Sequence, residues 1–318
     1  MADSLRNIAI DIVEQKLGKE APRYAFYIVQ KAVLQENQGN MQRADSLYQQ
    51  ADTLLKKAYG SQHDSYAGYL VNYGAHHLIR GNLAKSDTLL QRALAIQEAK
   101  FGKGHFNTAE AIRALGSLAY GRGEYDKATD LYDEALRIKK ATLKETHPDI
   151  HNISAYLADV DFSKGNYETA LSSYKAALQA RLTAFGRTTP YDITDLQRVG
   201  EIHLAQGNYE AARMAFDTMR HVSRQFHHQQ HYFQGFAACY LGITASEQGN
   251  FVLADSLMRS GLSIIQTAFG NPYISQVLEF YTKQAALLRK MGRYPQAQEA
   301  IASGYKSAKE LLLTKKGC

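Results

Sequence analysis

Glycine returns at every forty-second position along most of this 318-residue chain. The glycines at this spacing are Gly39, Gly81, Gly123, Gly165, Gly207 and Gly249, and Gly292 follows one residue late. A fixed spacing of this length is typical of one supersecondary unit that is stacked many times. The spacing therefore predicts an elongated repeat array, which offers a long surface for binding another molecule more readily than a pocket for catalysis.

Each of these marker glycines is followed by a fixed pattern of small and large residues. Five residues after the glycine the side chain is small in every copy: Ala44, Ser86, Ala128, Ala170, Ala212, Ala254 and Ala297. Nine residues after it the side chain is large: Tyr48, Leu90, Tyr132, Tyr174, Phe216, Met258 and Ile301. Such offsets advance by three or four residues, so they place one stripe on one face of an α-helix, which we name helix B.

A second column of Ala or Gly lies seven residues before each marker glycine and belongs to a preceding helix, helix A. We expect the small residues of helices A and B to face one another, with the large residues above and below. A Gly-Asn pair at five marker positions predicts the turn between the helices, because both residue types accept the left-handed backbone that ends a helix. Pro22, Pro148 and Pro190 stand where the next helix A is expected to begin.

This pattern resembles the tetratricopeptide repeat, in the 42-residue form found in kinesin light chains and many bacterial proteins. The match is clearest at residues 146–186, where His147-Pro148-Asp149 opens helix A, Gly165-Asn166-Tyr167 forms the turn, and Ala170, Tyr174 and Ala177 mark helix B. Seven copies in register cover nearly the whole chain. The resemblance implies an all-α fold, a right-handed superhelix (an α-solenoid) of about seven helix-turn-helix repeats with a half repeat before them.

The unbroken spacing predicts a single solenoid domain over residues 1–318. Its predicted parts are a half repeat (helix B) at residues 1–20 and repeats at 21–62, 63–104, 105–146, 147–188, 189–230, 231–272 and 273–318. The motif Ala2-Asp3-Ser4-Leu5 returns at 44–47 and 254–257, where helix B begins, so the chain opens in the middle of a repeat. Residues 1–20 are therefore either a capping helix or part of a repeat in a longer protein, and apolar Ile8 and Ile12 favour the longer protein.

Composition and charge argue against the membrane, secreted and nucleic-acid-binding classes. The formal net charge is +6, but residues 276–318 contain eight basic and three acidic residues and so hold +5 of it. A continuous basic stripe is missing, and we do not expect nucleic acid as a partner. No apolar run approaches the ~18 residues of a membrane span and no secretory leader follows Met1, so we expect a cytoplasmic protein. The two cysteines, Cys239 and Cys318, cannot form a disulfide framework.

The histidines at positions 221, 227, 228 and 231 are the strongest candidates for a metal site. His227 and His231 are four residues apart and would share a face if both lay on one helix. The competing interpretation is an exposed turn between repeats, and the lack of nearby Cys and carboxylate ligands favours it, so we expect no metal. Gly121-x-Gly123 lacks the third glycine of a dinucleotide loop, and there is no Walker lysine motif. We therefore expect no cofactor and no catalytic residues, and we expect that the protein is not an enzyme.

The resemblance implies where a partner binds. In tetratricopeptide arrays helix A lines the concave surface, and ligands contact residues that lie 13, 10, 9, 6, 3 and 2 positions before the turn glycine. The matching polar and aromatic residues of the middle repeats are Asn72, Arg113, Tyr156, Asp159, Gln197, Arg198, Glu201 and Tyr240. Polar groups interleaved with tyrosine suit an extended peptide or a helix, although the same residues could form an ordinary solvated surface. About half of the inner positions are apolar, which favours a partner over water.

Two hypotheses on function follow from these residues. The first is a non-catalytic scaffold whose concave groove binds a peptide, loop or helix, either of another protein or of a domain in the same parent chain. The second is a regulatory or sensor module of a larger enzyme, such as a CHAT-type protease. A chaperone tail is disfavoured as the partner, because in repeats one to three the positions of the lysine, asparagine and arginine clamp retain only Asn72.

Overall fold

The computed structural model describes residues 12–13, 15–16, 18, 22–37, 40–145, 147–227, 231–268 and 274–316. The α-helices with assigned bounds are α1 Pro22–Asn37, α2 Met41–Tyr59, α3 Asp64–Ile79, α4 Leu83–Phe101, α5 Phe106–Gly121, α6 Tyr125–Thr142, α7 Pro148–Lys164, α8 Tyr167–Phe185, α9 Asp192–Ala205, α10 Tyr209–Phe226, α11 Tyr232–Glu247, α12 Phe251–Thr267, α13 Ile274–Lys290 and α14 Tyr294–Lys316. Among the residues described there is no strand. In the same ranges no helix combines the length and the apolar character needed to cross a membrane. Most of the predicted half repeat at residues 1–20, and Cys318, lie outside the described residues.

The chain divides into two compact units, unit 1 at residues 1–160 and unit 2 at residues 161–318, and each is described by itself. In unit 1 α1 packs on α2, α3 on α4 and α5 on α6, and in unit 2 α9 packs on α10, α11 on α12 and α13 on α14. These are the predicted pairs of helix A and helix B. The A helices also contact one another, α1 with α3 and α3 with α5 in unit 1, and α9 with α11 and α11 with α13 in unit 2. The assignment of residues 1–318 to one solenoid domain stays a prediction.

A glycine in the left-handed region forms the turn between helix A and helix B. Gly81 and Gly165 have φ values of 77° and 84°, which residues with a Cβ rarely adopt. The N–H of Gly81 donates to the carbonyl oxygen of Leu78 at 2.9 Å, and the N–H of Asn82 donates to that of His77 at 2.8 Å. These bonds satisfy carbonyl groups at the end of α3 that would otherwise lack a partner. The spacing of glycines thus marks the turns, as predicted.

The contact between helices A and B differs from the expectation in one respect. Gly74 and Gly116 belong to the small column of helix A, and each faces a large side chain of helix B. A Cβ placed on Gly74 would lie 2.6 Å from Cδ2 of Leu90, and a Cβ on Gly116 would lie 2.8 Å from Cδ1 of Tyr132. The small residues of helix B also lie close, since a Cβ on Gly74 would be 3.5 Å from the carbonyl oxygen of Ser86 and a Cβ on Gly242 would be 3.0 Å from that of Ala254. The small residues therefore face one another as predicted, but in a close-packed interior the glycine also makes room for the large residue nine positions after the turn, which was expected above or below it.

Four A helices begin at a histidine that caps the helix. The Nδ1 atom accepts a hydrogen bond from the backbone N–H two residues later at His63, His105, His147 and His231. Each bond satisfies one of the N–H groups that the first turn of a helix leaves unpaired. The prediction that His147-Pro148-Asp149 opens a helix A is confirmed, and the other three histidines lie one or two repeat lengths away from His147.

The structure does not place His227 and His231 on one helix. His227 follows α10, and His231 precedes α11. Their rings stack with centroids 3.9 Å apart at 13°. Both lie between the two helices, as expected for a turn between repeats, but His231 is buried and His227 is half-buried. His228 lies outside the described residues. Within the described ranges no group of three or more His, Cys, Asp or Glu side chains is placed to hold a metal ion.

Two buried cations on B helices stand at the same position of the repeat and form ion pairs with A helices. Lys139 of α6 pairs with carboxylates of α5 and α7, and Arg181 of α8 pairs with carboxylates of α9. In unit 1 Nζ of Lys139 lies 2.6 Å from Oε1 of Glu110 and 3.2 Å from Oδ2 of Asp149. In unit 2 Nε of Arg181 donates to Oδ1 of Asp192 at 2.6 Å, and its Nη2 contacts Oδ2 of Asp195. Since both cations stand at the sixteenth position after a marker glycine, the repeat uses one position for a buried ion pair in each unit.

Candidate functional site

The predicted contact residues lie on A helices in both units. Asn72 lies on α3, Arg113 on α5, and Tyr156 and Asp159 on α7, all in unit 1. Gln197, Arg198 and Glu201 lie on α9 and Tyr240 lies on α11, all in unit 2. The structure therefore divides the predicted site into two sets of four residues, and their surroundings differ.

A cavity of about 440 Å³, the unit-1 cavity, opens between α1, α3 and the end of α2. Its lining includes Arg23, Phe26, Gln30, Leu55, Gly68 and Asn72. Phe26 and Gly68 both stand at the thirteenth position before a marker glycine, and Gln30 and Asn72 both stand at the ninth. These are inner positions that the family resemblance implies for ligand contact.

Gly68 leaves open space in the wall of the unit-1 cavity. A Cβ built on Gly68 would meet no atom within 4 Å. The side chain of Asn72 is held one turn away, since its Nδ2 donates to the carbonyl oxygen of Gly68 at 3.0 Å. Among the described residues of the lining, Arg23 is the one that carries a charge. The cavity thus combines apolar surface with an oriented amide and a guanidinium group.

Arg113 is held by a stack of aromatic rings and by a carboxylate. Its guanidinium carbon lies 5.3 Å from the ring centroid of Tyr156, and the rings of Tyr156 and Tyr132 are 5.5 Å apart at 15°. Nε of Arg113 donates to Oε2 of Glu110 at 3.1 Å. Although burial alone would raise it, Arg113 and Lys139 together lower the pKa of Glu110. We name Arg113, Tyr156 and Tyr132 the arginine stack.

Asp159 lies near the arginine stack on the same helix as Tyr156 and is half-buried. Burial is the main reason that the pKa of Tyr132 is raised, and the negative charge of Asp159 contributes in the same direction. Tyr132 therefore stays a neutral phenol, and its Oη donates to Oγ of Ser117 at 3.1 Å.

In unit 2 the predicted residues bind one another, and we name this group the unit-2 network. Nε2 of Gln197 donates to Oε1 of Glu201 at 3.0 Å, and Nη1 of Arg198 donates to Oε2 of Glu201 at 2.8 Å. Oη of Tyr240 donates to Oε1 of Glu201, and Gln276 of α13 donates to Oη of Tyr240. The network therefore links α9, α11 and α13 through hydrogen bonds inside the protein.

The aromatic ring of Tyr240 is fixed as firmly as its hydroxyl group. It stacks on Phe216 with centroids 4.7 Å apart at 6°, and both Tyr240 and Gln197 are buried. Burial, followed by the charge of Glu201, raises the pKa of Tyr240 far above its usual value. Arg198 is more accessible, and its guanidinium carbon lies 4.8 Å from the ring centroid of Phe162.

Sequence reasoning missed three residues of these sites. Gly68 is neither polar nor aromatic, so residue type does not mark it as a contact residue, yet phenylalanine occupies its position in two other repeats, at Phe26 and Phe236. Arg23 stands at the sixteenth position before its marker glycine, outside the offsets used. Gln276 has no distinguishing pattern in the sequence, because only packing against Tyr240 gives it a role.

Helix pairs closed by a glycine turn, with A helices in contact with one another, define the class of α-helical repeat proteins. The family model of the tetratricopeptide repeat matches residues 64–141 and 149–218. These two stretches are tetratricopeptide repeats, as the sequence pattern predicted. No curated protein matches the sequence.

Solved structures similar to this chain support the same fold. The Rap conjugation gene regulator of the plasmid pLS20, in complex with the Phr* peptide, has a TM-score of 0.69 at 14% identity over 92% of this chain and 74% of that chain. Kinesin light chain TPR-like repeats of Podosopora anserina have a TM-score of 0.50 at 16% identity over 64% of this chain and 96% of that chain. A STAND protein of Pyrococcus horikoshii with a tetratricopeptide repeat sensor has a TM-score of 0.57 at 15% identity, over 99% of this chain and 48% of that chain. The predicted all-α solenoid class is confirmed.

Proposed function

We propose that this chain is a non-catalytic interaction scaffold that binds a peptide segment, loop or helix of another protein on the inner surface of its A helices. The observation that supports this best is the unit-1 cavity, which is lined at inner positions of two successive A helices. Its volume of about 440 Å³ falls within the roughly 300–1,000 Å³ of typical ligand pockets.

The composition of the cavity suits a peptide. Phe26, which is 60% exposed, and the open side of Gly68 offer apolar surface to one side chain of the ligand. The amides of Gln30 and Asn72 can exchange hydrogen bonds with a peptide backbone, which is how extended segments are commonly bound. The Rap regulator, which has a similar fold, was solved with a bound peptide, and this supports the same class of ligand here.

The proposed binding surface also includes the predicted contact residues that lie outside the unit-1 cavity. Arg113, with Asp159 nearby, would orient a ligand in unit 1, because the arginine stack holds the guanidinium group in one place. In unit 2 Arg198 and Glu201 would contact a ligand at the edge of the network, whereas buried Gln197 and Tyr240 would act by holding Glu201.

Filling the cavity tests the proposal. A peptide library displayed on phage is selected against the wild-type chain, and the enriched peptides are titrated by calorimetry against Gly68→Leu. We expect the Kd to rise at least about tenfold, which is about 1.4 kcal/mol. Gly104→Leu is the matched control, because its Cβ also meets no atom within 4 Å and it lies outside the cavity. Equal affinity of the wild type and Gly68→Leu would reject the cavity as the binding site.

A regulatory or sensor module of a larger enzyme is the second candidate. The STAND protein of Pyrococcus horikoshii supports it, since its tetratricopeptide repeat part is described as a sensor and this chain spans 48% of that protein. Sequencing the gene on both sides of this segment tests the idea. A catalytic domain in the same reading frame, such as a CHAT-type protease, would favour the sensor, and stop codons on both sides would reject it.

A further inference from the structure

The connection between α8 and α9 in unit 2 carries three large apolar side chains that are exposed to solvent. Leu182 and Phe185 at the end of α8 and Tyr191 just before α9 have exposed fractions of 46%, 53% and 63%. Leu182 and Phe185 are three residues apart and therefore share one face of α8. Leu182 follows Arg181 and Tyr191 precedes Asp192, and these two neighbours form an ion pair at 2.6 Å. The three apolar side chains thus lie at one place, which we name the junction patch.

The repeat pattern does not account for Leu182. It stands at the seventeenth position after a marker glycine, and at this position the other repeats carry polar or charged residues: Lys56, Glu98, Lys140, Arg224, Gln266 and Lys309. The position is therefore a solvated one in the repeat, and leucine is the exception. Soluble proteins commonly expose single apolar side chains, whereas several at one place are typical of a contact surface.

Phe185 lacks the ring on which its equivalents stack. In two earlier repeats the aromatic residue at the end of helix B stacks on the histidine that caps the next helix A. These pairs are Tyr59 with His63 and Phe101 with His105, with centroids 4.8 Å and 4.4 Å apart. In the junction patch Thr189 stands at the position of the histidine, and its N–H and hydroxyl groups donate to the carboxylate of Asp192. Hydrogen bonds hold this connection in place of a stacked ring, and Phe185 is left exposed.

The rim of the junction patch is basic. Oγ1 of Thr188 donates to Oε1 of Gln225 at 2.9 Å, which joins the loop before α9 to the end of α10. Arg187 precedes Thr188 and Arg224 precedes Gln225, so both arginines lie beside this hydrogen bond. Both are exposed, and neither takes part in an ion pair with another described residue.

The carboxylates of the same connection are already paired. Asp192 and Asp195 are buried, and both hold the guanidinium group of Arg181. The charges of Arg187 and Arg224 are therefore not compensated by these carboxylates. A partner that brings carboxylates of its own to the rim gains from this charge, whereas a basic partner is repelled.

We infer that the junction patch docks an amphipathic helix of a partner protein whose apolar stripe is flanked by aspartate or glutamate. Leu182 and Phe185 form a ridge on α8, and such a ridge packs into the groove between side chains of a second helix. The carboxylates of that helix pair with Arg187 and Arg224. A second copy of the chain fits less well, because it would bring these arginines against one another. This surface goes beyond the proposed function and does not use the unit-1 cavity.

The test selects helices from a phage library and lets the selection choose their charge. Each library member has a fixed apolar stripe over about four turns, and its other positions are Glu or Lys in equal proportion. The library is first depleted on the variant Leu182→Gln/Tyr191→Ser and is then selected on the wild-type chain. The variant carries residues that other repeats have at these two positions, Gln266 and Ser65, so it should fold.

We expect the selected helices to be rich in Glu. Their Kd, measured by fluorescence anisotropy, should be at least about tenfold higher for the double variant, since apolar and aromatic residues at the centre of an interface contribute most of its affinity. Arg187→Glu should weaken binding several-fold, because it reverses a charge at the rim. Met214→Gln is the matched control: Met214 is an exposed apolar residue of α10 in unit 2, and its variant should bind like the wild type.

Four outcomes would overturn the inference. Two come from the selection: helices rich in Lys, or no helix that distinguishes the wild type from the double variant when circular dichroism shows both to be folded. Sedimentation with vesicles of phosphatidylserine that the double variant loses would make a membrane the occupant. A concentration-dependent dimer in light scattering that the double variant abolishes would make it a second copy. Gly68→Leu should bind the selected helices as the wild type does, so a failure of the unit-1 cavity as a peptide site would leave this result unaffected.

Discussion

The two units differ at the inner positions of their A helices, which leave open space in unit 1 and are filled by buried side chains in unit 2. Gly68 in unit 1 and Phe236 in unit 2 both stand at the thirteenth position before a marker glycine. The first leaves open space in a cavity wall, whereas the second is fully buried among other rings. Asn72 and Tyr240 differ likewise at the ninth position before a marker glycine, because Asn72 lines the cavity and Tyr240 is held in a hydrogen-bond network. Side-chain size at two positions of one repeat thus decides between a binding cavity and internal packing.

The contrast extends to the buried ion pairs of Lys139 and Arg181, which share one repeat position. The carboxylates that hold Arg181 in unit 2 are nearly inaccessible, with side-chain exposures of 4% at Asp192 and 10% at Asp195. The carboxylates that hold Lys139 in unit 1 are each 37% exposed. Water can therefore solvate the unit-1 carboxylates if their cation is removed, and it cannot easily reach those of unit 2.

Arg181→Met should have the largest effect on stability, since it leaves two buried carboxylates without a cation. We expect a loss of about 3–5 kcal/mol in the free energy of unfolding. Lys139→Met should cost about 1–3 kcal/mol, because its carboxylates can rehydrate. Urea unfolding followed by circular dichroism measures both. An equal loss for the two variants would contradict the difference in burial between the two units.

Acidification should destabilise unit 1 through His77, which lies buried near the end of α3. Burial, with a smaller effect of Lys85, lowers the pKa of His77 to about 4. The unfolded chain then binds more protons than the folded chain between about pH 6.5 and pH 4, so stability falls as the pH falls through this range. The loss at pH 4 should reach up to about 3 kcal/mol.

The measurement compares unfolding free energies at pH 7.5 and pH 4.5 for the wild type and His77→Gln. The variant should lose part of the pH dependence that the wild type shows in this interval. A pH dependence unchanged by His77→Gln would show that other groups cause the acid sensitivity.

Replacing two glycines of α3 by alanine should change the stability of the protein in opposite directions. Gly74→Ala places a Cβ 2.6 Å from Leu90, and we expect this overpacking to cost about 1–3 kcal/mol. Gly68→Ala meets no atom within 4 Å, so the better helix propensity of alanine should stabilise the protein by up to about 1 kcal/mol. Thermal melting of the two variants checks the signs. A stabilising Gly74→Ala would mean that helices α3 and α4 pack less closely than the structure shows.

Repetition explains why most of the fold was predictable from the sequence. The marker glycines predict the turns because few residues other than glycine adopt the left-handed backbone that is found at Gly81 and its equivalents. The histidine caps were predictable only in part, since His147 was identified and the same residue at His63 and His105 was not. Periodicity predicts which residues share a face, but it does not predict which side chain of the facing helix fills the space beside it.

The candidate site was less predictable from the sequence, because periodicity does not show what lies beside each side chain on the neighbouring helices. Gly68 and Gly74 lie on one helix and are identical in type, yet one faces open space and the other faces Leu90. Gln197 and Tyr240 have the polar character of contact residues, and the structure places them in a buried network with Glu201. Availability to a ligand depends on the packing of neighbouring helices, which residue type and spacing do not determine.

The most direct test of the contrast between the two units is a crystal structure of the chain with a peptide selected against it. We expect a side chain of the peptide in the unit-1 cavity, in contact with Gly68, and a hydrogen bond between the peptide and the amide of Asn72. A peptide bound against Gln197 and Tyr240, with the unit-1 cavity empty, would contradict the claim that the open inner positions form the binding site.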